Sequence, residues 1–122
     1  MKKLKVGIIG CGRIGQVHSK SITYHIPQAE ILAVSDVFVE SAEKLAKELS
    51  IPNYYQDYHE ILNNPEIDAV LICSSTDTHA DIAIEAAKAG KNIFCEKPVD
   101  LTVAKIKAVI DAVNEAGVKL QI

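Results

Sequence analysis

Short apolar runs alternate with amphipathic stretches in the first half of the chain. Residues 4–9 are almost continuously apolar, which predicts a strand covered on both faces. Helical periodicity follows over residues 13–24, and Pro27 ends it. A second apolar run at residues 31–35 precedes a helix over residues 41–49 with one apolar face. The pattern predicts repeated strand–helix units.

The same alternation continues to the last residue. Strands are predicted at residues 54–55, 69–73, 93–95 and 118–122, with helices over residues 78–89 and from about residue 102 to Gly117. Because parallel strands are joined by right-handed helical crossovers, these units predict an α/β fold with a doubly wound parallel sheet, the Rossmann fold. We expect about six strands with helices on both faces, and one domain over residues 1–122.

Three finer predictions concern the ends and faces of these helices. Asp57 followed by Glu60 resembles a capping box that opens a short helix. Gly90 ends the helix over residues 78–89, and either Asp100 or Thr102 caps the last helix. The apolar residues of that last helix are predicted to share one face, namely Val103, Ile106, Ile110 and Val113.

Composition and charge narrow the class of protein. The chain has 122 residues, 48% apolar, with a net charge of −3 and a mean hydropathy of +0.12. This apolar fraction excludes disorder, and the acidic balance argues against nucleic-acid binding. No run of about 18 apolar residues and no signal peptide are present, so neither membrane spanning nor secretion is expected. Three cysteines without a CxxC motif indicate a reducing, cytoplasmic setting.

A glycine-rich loop separates the first strand from the first helix. It reads Gly10-Cys11-Gly12-Arg13-Ile14-Gly15, the G-x-G-x-x-G pattern of dinucleotide-binding proteins. The three glycines allow the tight turn, the approach of a diphosphate and close helix–strand packing. The diphosphate is expected on the N–H groups of the following helix. The Arg13 side chain either contacts it or is solvated.

Asp36 ends the second predicted strand. A carboxylate at this position hydrogen-bonds the ribose hydroxyls of NAD and repels the 2′-phosphate of NADP. Val37 and Phe38 follow, so no cation is present to bind that phosphate. NAD is therefore the expected cofactor. The alternative is that Asp36 only caps the next turn.

Polar residues also follow the fourth and fifth strands, where ligands of open α/β sheets bind. The first group contains Ser74, Ser75, Thr76, Asp77, Thr78 and His79, and the second is Glu96-Lys97-Pro98. Both groups can line the nicotinamide half of the cofactor. In the alternative interpretation, Thr76, Asp77 or Thr78 caps the helix and His79 lies on its first turn.

These motifs, in this order and spacing, resemble the N-terminal half of the glucose–fructose oxidoreductase/inositol dehydrogenase family. The resemblance covers all 122 residues but only about the first third of such an enzyme. It implies oxidation of a secondary alcohol of a cyclic polyol or sugar, with Lys97 orienting and polarising the substrate oxygen. It places Glu96 near the nicotinamide ribose. It also implies that the proton-accepting His and its Asp partner belong to a second domain, so these residues alone should be inactive.

The four histidines form no ligand set, so no metal is expected, and His18 is interpreted as structural. Cys11 is interpreted as a small buried group, the alternative being a thiol activated by the helix dipole. Two other functions remain open, an NAD(H)-sensing module without catalysis and the cofactor domain of another two-domain reductase. We expect the whole enzyme to be a homo-oligomer.

Overall fold

The computed structural model describes residues 3–96 and 102–122. Within them, six strands alternate with five helices. The strands are β1 (Leu4–Ile9), β2 (Ala29–Ser35), β3 (Asn53–Tyr55), β4 (Ala69–Ile72), β5 (Asn92–Cys95) and β6 (Leu120–Gln121). The helices are α1 (Arg13–His25), α2 (Val39–Leu49), α3 (His59–Leu62), α4 (Thr76–Lys88) and α5 (Val103–Ala116).

All six strands pair in parallel, in the order β3-β2-β1-β4-β5-β6. The chain moves outward from β1 in one direction and then returns to add β4, β5 and β6 on the other side. This confirms the doubly wound Rossmann fold. The strand order reverses between β1 and β4, and ligands of such sheets bind outside the carboxyl ends of the strands at that point.

The sheet separates two apolar layers. Ile8 is fully buried in the layer beneath α1 and α2, together with Val34 of β2 and Leu45 of α2. The next residue, Ile9, points to the opposite layer, which α4 and α5 cover. Because successive side chains of a strand alternate between faces, a strand buried on both sides must be apolar at nearly every position. The central strand β1 shows that pattern.

Several element boundaries differ from the predicted ones by one or two residues. β2 and α2 each begin two residues before the predicted start, because the apolar pattern does not show at which residue backbone hydrogen bonding starts. α4 also begins two residues early, at Thr76, and its N-cap is Ser75 without a side-chain capping bond. The predicted capping by Thr76, Asp77 or Thr78 is therefore wrong. The Thr78 hydroxyl instead donates to the Ser75 carbonyl at 2.6 Å.

The predicted capping box at Asp57 is also wrong. One oxygen of its carboxylate accepts from the His59 N–H at 2.9 Å, two residues along the chain. The Glu60 N–H donates to the Asp57 backbone carbonyl at 3.2 Å and not to its carboxylate, because α3 is a single turn that begins only at His59. Asp57 thus forms the short-range turn that Asp side chains favour outside helices.

The last helix, α5, is capped by one of the two predicted residues, but it buries a different face from the predicted one. The Thr102 hydroxyl accepts from the Lys105 N–H at 3.3 Å, whereas Asp100 lies outside the described residues. The buried residues of α5 are Val109 and Val113, and the predicted face was partly wrong because Val103 is 84% exposed and Ile110 48% exposed. Packing against α4 buries the face of α5 that contains Val109 and Val113, and it leaves Ile110 outside that face.

A buried lysine joins two connections at the amino ends of the strands. Lys91 is 5% exposed, and its ammonium donates to the carbonyls of Asn64 at 2.6 Å and Ile67 at 2.7 Å. Burial lowers the pKa of this ammonium. Because Lys91 makes charge-assisted bonds across a long sequence separation, it holds the start of β5 against the segment before β4.

Lys91→Met should therefore destabilise the fold by about 2 kcal/mol, since it removes two hydrogen bonds from a charged donor. Urea unfolding followed by circular dichroism measures this loss. The matched control is Lys88→Met at the exposed end of α4, which should change stability by less than about 0.5 kcal/mol. Equal effects of the two substitutions would contradict the role assigned to Lys91.

Candidate functional site

A cleft of about 640 Å³ opens at the carboxyl ends of the central strands, where the strand order reverses. The predicted site residues that line it are Gly10, Gly12, Arg13, Ile14, Asp36, Ser74 and Ser75. Among the predicted residues that the structure describes, Gly15, Thr76, His79 and Glu96 do not line it. The fold thus brings the glycine loop, the end of β2 and the loop after β4 together in one cleft.

The three glycines of the loop have different surroundings. Gly10 has φ +101°, and a Cβ built on it would lie 2.6 Å from the backbone of Cys73 and of Ser74. A Cβ on Gly15 would lie 1.9 Å from the Gly10 carbonyl oxygen. A Cβ on Gly12 would meet no atom within 4 Å. Two glycines are therefore required by the fold, while the position of Gly12 faces open space that a diphosphate can occupy.

The amino end of α1 provides the electrostatic part of this cradle. Gly12 is the N-cap of α1, and the first turn of this helix contains no acidic residue. The first N–H groups of a helix lack intrahelical partners, and the helix dipole is positive at that end. The exposed Arg13 lies on the same turn and lines the cleft. The arrangement fits a dinucleotide diphosphate.

Asp36 is held rigidly at the rim of the cleft. Its carboxylate accepts from the Cys11 N–H at 2.7 Å and from the Phe38 N–H at 2.9 Å. Asp36 therefore does form the turn that the alternative hypothesis proposed, and it lines the cleft as well. A carboxylate has about four acceptor sites, so two remain for the hydroxyl groups of a ribose.

The loop after β4 is organised by internal hydrogen bonds. The hydroxyls of Ser74 and Thr78 lie 2.7 Å apart, and the His79 Nε2 donates to the Ser74 carbonyl at 2.7 Å. His79 is only 2% exposed. His79 thus holds the loop through the Ser74 carbonyl. Its closeness to the cofactor remains a prediction. Thr76 is half-buried at the start of α4.

The structure adds several lining residues that sequence reasoning missed. Val37 and Phe38 line the cleft and are 72% and 71% exposed, and Tyr58 and Ile82 line it as well. The sequence did contain a signal for Val37 and Phe38, because two large apolar residues directly after the end of a strand are typical of a surface that contacts an apolar ligand group. The Tyr58 hydroxyl donates to Glu85 at 2.5 Å, and burial and this carboxylate raise the pKa of Tyr58.

The two thiols near the cleft are at least partly buried, and the pKa of each is raised. Cys11 is 1% exposed, and its thiol donates to the Ser35 carbonyl. Burial, reinforced by the nearby Asp36 carboxylate, raises the pKa of Cys11 to about 12. Burial also raises the pKa of Cys73 to about 12. Because only the thiolate is nucleophilic, an activated Cys11 is excluded.

The motif after β5 is only partly described. Glu96 is hydrogen-bonded to His18 of α1, whereas the predicted catalytic residue Lys97 lies outside the described residues. The described part of the chain contains no group of three or more His, Cys, Asp or Glu side chains able to hold a metal ion. No helix in that part has the length and apolar character needed to cross a membrane.

Comparison with known proteins agrees with this geometry. Residues 4–122 match the model of an oxidoreductase family described by its NAD-binding Rossmann fold. The chain is 39% identical over 117 residues to myo-inositol 2-dehydrogenase of Thermotoga maritima, covering 96% of the chain and 35% of that protein. It is 39% identical over 120 residues to scyllo-inositol 2-dehydrogenase (NAD(+)) of Bacillus subtilis, covering 98% and 35%.

Solved structures show the same similarity. A probable dehydrogenase from Thermotoga maritima superposes with a TM-score of 0.92 at 40% identity, covering 96% of the chain and 35% of that protein. A scyllo-inositol dehydrogenase from Lactobacillus casei, with bound NAD(H) and scyllo-inositol, gives 0.92 at 30% identity, covering 98% and 36%. The chain spans about a third of the length of these relatives. It therefore belongs to the glucose–fructose oxidoreductase/inositol dehydrogenase family and forms its NAD-binding Rossmann domain.

Proposed function

We propose that this chain is the NAD-binding domain of a dehydrogenase that oxidises a secondary alcohol of a cyclic polyol of the inositol type, or of a sugar. The observation that carries the proposal is the cleft in which open space at Gly12 faces the same cavity as the fixed carboxylate of Asp36. Relatives named for inositol oxidation support the substrate class. They favour it over an NAD(H) sensor or another reductase.

The described residues account for one half of the cofactor in detail. The amino end of α1 and Arg13 bind the diphosphate, and Asp36 binds the adenosine ribose. Val37 and Phe38 provide an apolar surface for the adenine at the rim of the cleft. Ser74 and Ser75 line the cleft after β4, on the other side of β1 from β2, and we assign them to the nicotinamide half. When bound there, NAD supplies a hydride acceptor.

The substrate side of the reaction rests on residues after β5. Loss of a hydride from an alcohol carbon requires removal of the O–H proton and stabilisation of the negative charge that develops on oxygen. We assign that stabilisation to Lys97, whose ammonium donates a hydrogen bond to the alcohol oxygen. Glu96 lies near the nicotinamide ribose. We place the proton acceptor, a His with an Asp as its partner, in a second domain.

Two further proposals concern the setting of the whole enzyme. The three cysteines are unpaired and at least partly buried, which fits a reducing compartment such as the cytoplasm. We also propose that the whole enzyme is a homo-oligomer that acts on a small-molecule substrate.

Cofactor selectivity tests the proposal. NAD should bind at least about tenfold more tightly than NADP, which corresponds to about 1.4 kcal/mol. A 2′-phosphate placed about 4 Å from the Asp36 carboxylate is repelled by roughly 4 kcal/mol at an effective dielectric of about 20, and rearrangement reduces this. Isothermal titration calorimetry with both cofactors measures the ratio. Failure to bind either dinucleotide would overturn the proposed function.

A matched pair of variants assigns the selectivity to one carboxylate. Asp36→Asn should reduce the preference for NAD, because it removes the charge but keeps an amide oxygen as an acceptor. The control is Asp68→Asn at the amino end of β4, far from the cleft at the carboxyl ends. The Asp68 carboxylate accepts from the Lys5 N–H at 3.0 Å. The control should leave both affinities unchanged. An unaltered preference in Asp36→Asn would remove Asp36 from the proposed role.

A further inference from the structure

A side-chain pair joins the phosphate-binding helix to the end of β5. The His18 Nε2, on the second turn of α1, donates to the Glu96 carboxylate, the residue directly after β5. The imidazole also makes an edge contact with Phe94 of β5, with ring centroids 5.6 Å apart and an interplanar angle of 68°. The two partners are 78 positions apart in the sequence. The function described above does not use His18.

Two observations place this carboxylate beside the cleft, and a third shows that it is accessible. The Glu96 N–H donates to the Ile72 carbonyl at 3.2 Å, so Glu96 lies next to the end of β4. The charge of Glu96 contributes to the raised pKa of Cys73, and Cys73 lines the cleft. The side chains of His18 and Glu96 are 29% and 30% exposed, so both remain accessible to a ligand.

We propose that His18 is a positioning residue that fixes the Glu96 carboxylate for the nicotinamide half of the dinucleotide. This inference rests on the proposed function. The same helix, α1, then determines both the site of the diphosphate at its amino end and the position of the carboxylate that meets the nicotinamide ribose.

The physical benefit is preorganisation. A free glutamate side chain loses rotamer freedom when a ligand orders it, and that loss weakens binding. A glutamate already held by His18 has lost this freedom on folding. The benefit therefore applies only to ligands that contact Glu96, and a ligand confined to the adenine half of the cleft gains nothing from it.

This difference separates positioning from a purely structural role. NADH contains both halves of the dinucleotide, whereas ADP contains only the adenosine and the diphosphate. Loosening of α1 would weaken both ligands, because α1 binds the diphosphate. Loss of the carboxylate's position should weaken NADH alone. The ratio of the two affinities is therefore the informative quantity.

Two substitutions of His18 isolate the hydrogen bond. His18→Phe keeps an aromatic ring against Phe94 and removes the donor, whereas His18→Gln keeps an N–H donor that can reach the carboxylate. We expect His18→Phe to lower the affinity for NADH about five- to tenfold and to change that for ADP less than about twofold. His18→Gln should retain most of the NADH affinity. Calorimetric titration of the 122-residue chain gives both constants.

Glu96→Ala removes the other partner of the hydrogen bond, and it tests the proposal if His18→Phe fails to fold. It should also weaken NADH selectively, and adding His18→Phe to it should cause no further loss, as expected for residues that act as a unit. If the unaltered chain binds neither NADH nor ADP, the proposed function is wrong. If it binds both, and the variants lower both affinities equally or neither, only the role of His18 is wrong.

Discussion

Gly12→Val is expected to abolish dinucleotide binding while the fold survives. A Cβ at this position meets no protein atom within 4 Å, and the backbone at φ −74° and ψ −162° suits any L-residue. The added side chain therefore fills the space assigned to the diphosphate and blocks its approach to the amino end of α1. We expect the affinity for NAD to fall at least about 100-fold, which corresponds to about 2.7 kcal/mol.

The measurement combines titration with NADH and thermal unfolding of the same sample. Valine is a poorer N-cap than glycine, so a stability loss of about 1 kcal/mol is expected. The matched control is Gly15→Ala, which adds only a methyl group but places it 1.9 Å from the Gly10 carbonyl oxygen. That variant should lose about 3 kcal/mol of stability, because backbone must move. A folded Gly12→Val protein with normal NAD affinity would show that the diphosphate binds elsewhere.

The parts of the site that could be predicted from sequence are those encoded by local patterns. The strand, the glycine loop and the helix that follows are contiguous, so their geometry follows from the spacing of Gly10, Gly12 and Gly15. Asp36 was predictable because it ends an apolar run at a fixed place in the fold. The doubly wound parallel sheet followed from the repeated strand–helix units and the handedness of their connections.

What sequence reasoning missed depends on contacts between distant segments. The pairing of His18 with Glu96 depends on a side chain of α1 reaching the end of β5, and local periodicity in the sequence does not contain that information. Helical spacing allows two adjacent faces for α5, and packing against α4 selected the one with Val109 over the one with Ile110. His79 could be assigned to the first turn of α4, but its inward direction follows from the bond to the Ser74 carbonyl.

The second large effect concerns activity. The 122-residue chain should bind NAD yet show no oxidation of myo-inositol, scyllo-inositol or a sugar. A general base needs a pKa near the working pH. Among the described residues that line the cleft there is no histidine, the side chain that acts most often as a general base. The chain also spans about 35% of the length of its relatives.

The expected result is NADH formation no faster than in a sample without protein. General acid–base assistance contributes about 10²–10⁴-fold, and positioning of the substrate contributes more, so loss of both removes measurable turnover. In a two-domain enzyme that contains this chain, Lys97→Ala should lower kcat strongly and change NAD affinity less, because the ammonium acts on the alcohol oxygen. NADH absorbance follows both reactions. Turnover by the 122-residue chain would show that the proton acceptor lies within it, and the proposed second domain would then not be needed for the chemistry.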